Sequence, residues 1–148
     1  MSSPSVVVID ALNSLLEAEA NSIFHFVGPG SPYLEQAGPE VRQPLEMMSK
    51  HLDHHAEELK DLILSLGGTP AIPPAPDAED QYLSYLSLKF LLPKLVDAKE
   101  LMIRRYQSVI HAVKTDPNVV QVLQRQLNDI RADMAILKQT AALVAAGR

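Results

Sequence analysis

The sequence has no cysteine, which at once excludes disulfides, thiolate nucleophiles and the Cys-based zinc and iron–sulfur sites. Nor does any apolar run reach the roughly 18 residues of a membrane span, so no membrane partner is expected. Basic residues are scarce: 13 Lys and Arg against 18 Asp and Glu leave a formal charge of −5. Without a basic face to neutralise phosphates, nucleic-acid binding is not expected. Serine and threonine stand in no nucleophile-elbow pattern, and no Gly-rich phosphate loop is present. The opening MSSPSVVVIDALN lacks a basic segment followed by an apolar one and a cleavage site, so a cytoplasmic protein is expected. Alternation of period two is missing as well, which argues against a sheet.

What remains is a chain of 148 residues, 47% hydrophobic and 21% charged, enough for one domain with a real core. Apolar spacing near 3.6 recurs in four long stretches. A first helix is expected from about Val6 to Val27, stopped by Gly28-Pro29-Gly30. A second covers roughly Pro44 to Leu66 and stops at Gly67-Gly68. The stretch TPAIPPAPDAED, with Pro73 and Pro74, reads as a stiff, extended crossover rather than an SH3-type ligand. A third helix spans about Asp80 to Lys114, with a kink or break at Pro93. Asp116-Pro117 caps a fourth that runs to about Val144. Two hairpin-like pairs joined by one long crossover make an all-α, antiparallel four-helix bundle.

Projected at about 100° per residue, each helix shows what shares its apolar stripe. The first carries Ile9, Leu12, Leu16, Ile23 and Val27, flanked by Leu15 and Phe26, with Glu19 inside the stripe. The second carries Leu45, Met48, Leu52, Leu59, Ile63 and Leu66, with His55 included. The third carries Leu88, Leu92, Leu95, Met102, Tyr106, Val109 and Val113, with Lys99 in its middle. The fourth carries Val120, Leu123, Leu127, Ile130, Met134, Leu137 and Ala141, with Asp133 at one margin. A lone core histidine is usually a satisfied one, and a lysine on an apolar stripe usually snorkels. Four ionisable groups at matching heights are less easily dismissed, because unpaired buried charge costs several kcal/mol. Met47-Met48 reads as rim and core rather than as a haem ligand, and Arg104, Arg105, Arg125 and Arg131 fall on outer faces suited to solubility or partner contacts.

Two segments resemble the bacterioferritin and rubrerythrin group of ferritin-like proteins. One is Val8-Ile9-Asp10-Ala11-Leu12-Asn13-Ser14-Leu15-Leu16 leading into Glu19, with an aromatic, Phe26, seven residues on. The other is His55-Ala56-Glu57-Glu58-Leu59 through Leu66-Gly67-Gly68-Thr69-Pro70; Tyr106 and Asp116-Pro117 match more loosely. The resemblance implies a ferritin-like bundle across nearly the whole chain. Its two metal ions would be held by a Glu from each of two helices and a Glu-x-x-His from each of the others. Carried over position by position, Glu19 and His55 match. The other expected ligands fall on Leu52, Lys99, Ile130 and Asp133. A shifted register of the fourth helix would put Gln126 and Asp129 at the last two positions.

Leu52 and Ile130 are not ligands, and Lys99 would bring fixed positive charge where the resemblance places cations. The resemblance thus implies a degenerate di-iron site with no cofactor, in which Lys99 pairs with Glu19 in the core and His55 lies nearby. A rival reading keeps a metal, iron or zinc, on a remodelled site of Glu19, His51, His55 and Asp133, since His51 and His55 have the i, i+4 spacing of helical metal pairs. His54 points elsewhere in that projection. No ferroxidase activity is expected, and a homodimer formed through helix faces is.

Overall fold

The computed structural model describes residues 4–20, 37–71 and 87–146. Among them lie four helices and no strand: α1 (Pro4–Ala20), α2 (Pro39–Ser65), α3 (Leu88–Ala112) and α4 (Pro117–Ala145). Ile23, Phe26, Val27, the Gly28-Pro29-Gly30 breaker and the crossover prolines Pro73 and Pro74 fall outside the described residues.

Two helix starts differ from the sequence reading, that of α3 because it lies at Leu88, behind an extended Ser87, and not near Asp80. α2 begins at Pro39, not near Pro44, with Gly38 in extended conformation as its N-cap. Proline at the first helical position has the right φ and no N–H to waste, so Pro39 is the natural start. Pro44 then lies inside the helix, where it denies the Glu40 carbonyl a donor. α3 likewise runs unbroken through Pro93, so the expected break is absent. Each proline sits early in its helix, and the long apolar stripe beyond it outweighs one lost hydrogen bond.

The other boundaries follow the sequence closely. Asp116 accepts from the Val119 N–H at 3.3 Å, capping α4 ahead of Pro117. Gly67, at φ 83°, takes the left-handed conformation that ends α2, and the Gly68 N–H returns to the Ile63 carbonyl at 3.0 Å. Gly68 also lies against Ile9, where a Cβ would stand 2.7 Å from its Cγ2. Asn13 clamps the same corner: its amide donates to the Thr69 carbonyl at 3.1 Å and its oxygen accepts from the Ala71 N–H at 2.7 Å. The start of α1 therefore lies beside the end of α2.

α1 packs on α2 and α3, and α4 on the same two, so α2 and α3 occupy opposite corners of the bundle. The buried stripes agree with the sequence apart from a slight rotation. Val8, Val41, Leu91 and Val119 are buried, while Ile9, Leu66, Leu88, Val120 and Ala141 are only partly so.

Candidate functional site

The apolar interior is divided in two. One cluster holds Leu12, Leu16, Leu59, Met102, Tyr106 and Ile130 among others, and the second holds Leu45, Met48, Leu52, Leu92, Leu95 and Leu137. Each of the three longer helices changes cluster at an ionisable residue: His55 on α2, Lys99 on α3 and Asp133 on α4. Glu19 follows the last apolar core residue of α1 that is described. All four are buried, so a polar layer separates the two halves of the core.

Tyr106 organises one side of that layer. Its hydroxyl stands 2.8 Å from Glu19 Oε1 and 2.9 Å from Gln126 Oε1, two acceptors for one phenolic proton. Burial, and then the Glu19 charge, pushes the phenol far above its ordinary titration range. Gln126 is oriented by its amide group, which donates to the His55 carbonyl at 3.3 Å and to Glu58 Oε1 at 3.2 Å. Glu58 in turn meets the Arg125 guanidinium through both oxygens. Partial burial alone would raise its carboxyl, but Arg125 and Gln126 hold it below the usual carboxylate range. The chain of contacts thus runs from buried Glu19 out to an exposed arginine.

The seam between α2 and α4 carries the other side. His51 Nδ1 lies 2.8 Å from Asp133 Oδ2, and His55 Nε2 lies 3.2 Å from Asp129 Oδ2. Four residues up one helix match four residues down the other, as antiparallel packing requires. The two imidazoles face α4 nearly parallel, at 26°, with centroids 6.5 Å apart. His55 Nδ1 turns inward to 3.8 Å from Glu19 Oε1. Burial lowers the affinity of His55 for a proton, yet Glu19 and Asp129 together raise it above its ordinary value. Lys99 shows the opposite balance. Burial pushes its ammonium below the ordinary value, against the pull of the Asp133 carboxylate and then of Glu19.

The sequence-predicted residues therefore gather at one level, but in unequal company. Leu52 and Ile130 are buried in the two apolar clusters on either side of the polar layer. Asp133, placed at a margin by projection, is buried. The set Glu19, His51, His55 and Asp133 is split between two contacts: His51 reaches Asp133, while His55 sits between Glu19 and Asp129. Among the described residues, no three His, Asp or Glu side chains are placed to hold a metal ion. His54, exposed on the far side, pairs with Glu58 at 3.6 Å. Gln126 and Asp129 were visible in the sequence only as a shifted register. In the structure they are used together with Asp133, not instead of it. Thr140 escaped notice because its hydroxyl bonds back to the Ile136 carbonyl at 2.9 Å and behaves as part of the core.

The topology of this bundle can be set beside that of solved structures. No protein-family model matches the sequence, and no curated protein sequence does. In shape, the chain matches Desulfovibrio desulfuricans bacterioferritin, a protein studied for its diiron site in different catalytic states. The TM-score is 0.84 at 14% identity, over 99% of this chain and 86% of that one. It also matches a ferritin-like, diiron-carboxylate protein from Bacillus anthracis strain Ames, with a TM-score of 0.70 at 21% identity, over 95% of this chain and 99% of that one. The chain has the ferritin-like fold.

Proposed function

We propose that this bundle no longer houses a pair of metal ions, and that an internal network centred on Lys99 fills the place, leaving a structural or interaction role instead of ferroxidase chemistry. The observation that carries this reading is a buried lysine side chain between two clusters of apolar side chains, within electrostatic reach of both Asp133 and Glu19. Two cations held by carboxylates and imidazoles need several oxygen and nitrogen donors around a shared centre. Leu52 and Ile130 offer none, and Lys99 repels a cation outright. The residues do not fit a dinuclear centre. A fixed lysine supplies the counter-charge that buried carboxylates require, with no need for a metal supply.

The alternative reading, a single iron or zinc on Glu19, His51, His55 and Asp133, is favoured by the near-parallel imidazoles of His51 and His55 facing α4. Metal analysis of untagged protein separates the readings, followed by anaerobic addition of ferrous iron and exposure to oxygen. The expected result is far less than one metal per chain and no rapid oxidation. One tightly held zinc or iron per chain would favour the alternative. Two irons with fast oxidation would overturn both.

A further inference from the structure

The outward faces of α2 and α3 carry matching charge patterns at matching heights. On α3, residues spaced three or four apart form one fully exposed stripe: Phe90, Lys94, Asp97, Leu101 and the neighbours Arg104 and Arg105. Phe90 is 64% and Leu101 50% exposed on that stripe. Among the described residues, none of Lys94, Arg104 and Arg105 makes an ion pair. The outer stripe of α2 is its counterpart: Glu46, Lys50, Asp53, Glu57 and Asp61, ending on exposed Leu64. Glu46 and Glu57 pair with partly exposed neighbours on their own helix, Arg42 at 3.9 Å and Lys60 at 3.4 Å.

The geometry of the bundle sets how these stripes stand to each other. α2 is antiparallel to α4, with His51 level with Asp133 and His55 with Asp129. α3 is antiparallel to α4 too, with Tyr106 level with Gln126. α2 and α3 are therefore parallel, and a residue of α2 stands level with the residue about 48 further along in α3. Glu46 is level with Lys94, Lys50 with Asp97 to within a residue, Asp53 with Leu101, and Glu57 with Arg105. Since the two helices sit at opposite corners, their outward faces point away from each other within one molecule. A second copy displaced sideways, without rotation, would bring its α2 alongside this α3 with acid facing base, base facing acid, and acid facing base.

We propose that the outer face of α3 docks on the outer face of α2 of a second copy of this chain, in parallel and in that register. The contact is head-to-tail, not two-fold, so a pair of molecules keeps one acidic and one basic face open and, with no rotation between copies, the assembly grows laterally as an open row. A single pair of helix faces is a small interface, so the association is weak, concentration-dependent and sensitive to salt.

The test is analytical ultracentrifugation of the full chain at low and high ionic strength, with two charge-reversed variants. One is Glu46→Lys/Glu57→Lys, the other Lys94→Glu/Arg105→Glu, and far-UV circular dichroism establishes that each stays helical. Wild-type protein is expected to show a weight-average mass that rises with concentration and falls with added salt. Either variant alone should associate more weakly by on the order of tenfold or more, because its two docking faces now carry like charge. Mixed together, the variants should associate again, since one presents two basic faces and the other two acidic ones. A wild-type chain that stays monomeric at low salt overturns the proposal, as do a closed two-fold dimer, a single reversal without effect, and a mixture that stays apart.

Discussion

Tyr106 donates from α3 to Glu19 on α1 across 2.8 Å, in the buried layer that divides the core. The same hydroxyl faces Gln126 of α4, so one phenol ties three helices together. Tyr106→Phe keeps the ring and removes that donor from a buried carboxylate and a buried amide oxygen. The expected loss is about 1–3 kcal/mol by urea unfolding at neutral pH, more than a surface hydroxyl would give. A loss near zero would mean the layer is hydrated well enough to replace the phenol.

The cap on α4 gives a smaller and independent check. Asp116 accepts a backbone N–H of the first turn, and Asp116→Ala should lower stability by about 1 kcal/mol. Asp116→Asn should retain most of it, since an amide oxygen accepts the same bond. If the two variants fell equally, the carboxylate charge rather than the cap would be responsible.

His55 gives stability a pH dependence whose direction is fixed by its environment. Its folded pKa is raised above the ordinary 6.5, because Glu19 and Asp129 outweigh the burial that would lower it. A raised value means that the folded state binds the proton more tightly than the unfolded one. The contribution is therefore complete below about 6.5 and is lost as the pH climbs through the raised folded value. Thermal melts should show the wild type losing stability over that interval relative to His55→Gln, whose profile should be flatter there. A steeper fall in the variant would contradict the assignment.

Much of this was legible in the chain because helices announce themselves by period and punctuation. Gly67-Gly68 and Asp116-Pro117 are local signals, and they end α2 and start α4 where the residues say. Pro44, read as a helix start, and Pro93, read as a kink or break, both lie inside continuous helices, because packing of the stripe beyond each proline decides. Glu19, His55 and Lys99 could be found because an ionisable group on an apolar stripe is conspicuous. Gln126 surfaced only through a shifted register of the fourth helix, since an uncharged amide beside Leu127 reads as the polar edge of a helix. Its burial depends on Tyr106 and Glu58, which approach from two other helices. For Lys99 the projection pointed to Glu19, and both Glu19 and Asp133 lie within electrostatic reach of it. The stripes place Glu19 and Asp133 at similar heights, and the packing of α3 against α4 makes Asp133 the stronger pull on the Lys99 side chain, ahead of Glu19.

That ranking can be measured. Lys99→Met removes the ammonium from a site where burial already disfavours it, yet leaves the carboxylates behind. Breaking a buried charge network by removing one member costs about 3–5 kcal/mol, and that loss is expected in urea at neutral pH. In the Lys99→Met background, Asp133→Asn and Glu19→Gln should each recover part of the loss, because neutralising a carboxylate removes the uncompensated charge. Asp133→Asn should recover more, although the introduced amide would also have to satisfy His51, whose Nδ1 lies 2.8 Å from the Asp133 carboxylate. Coupling well above about 1 kcal/mol, the ceiling for exposed pairs, marks an interior network. If Glu19→Gln recovered more than Asp133→Asn, the Glu19–Lys99 pairing expected from the sequence would be the dominant one. If all three substitutions were additive, Lys99 would reach solvent and the internal-cation account of the bundle would fail.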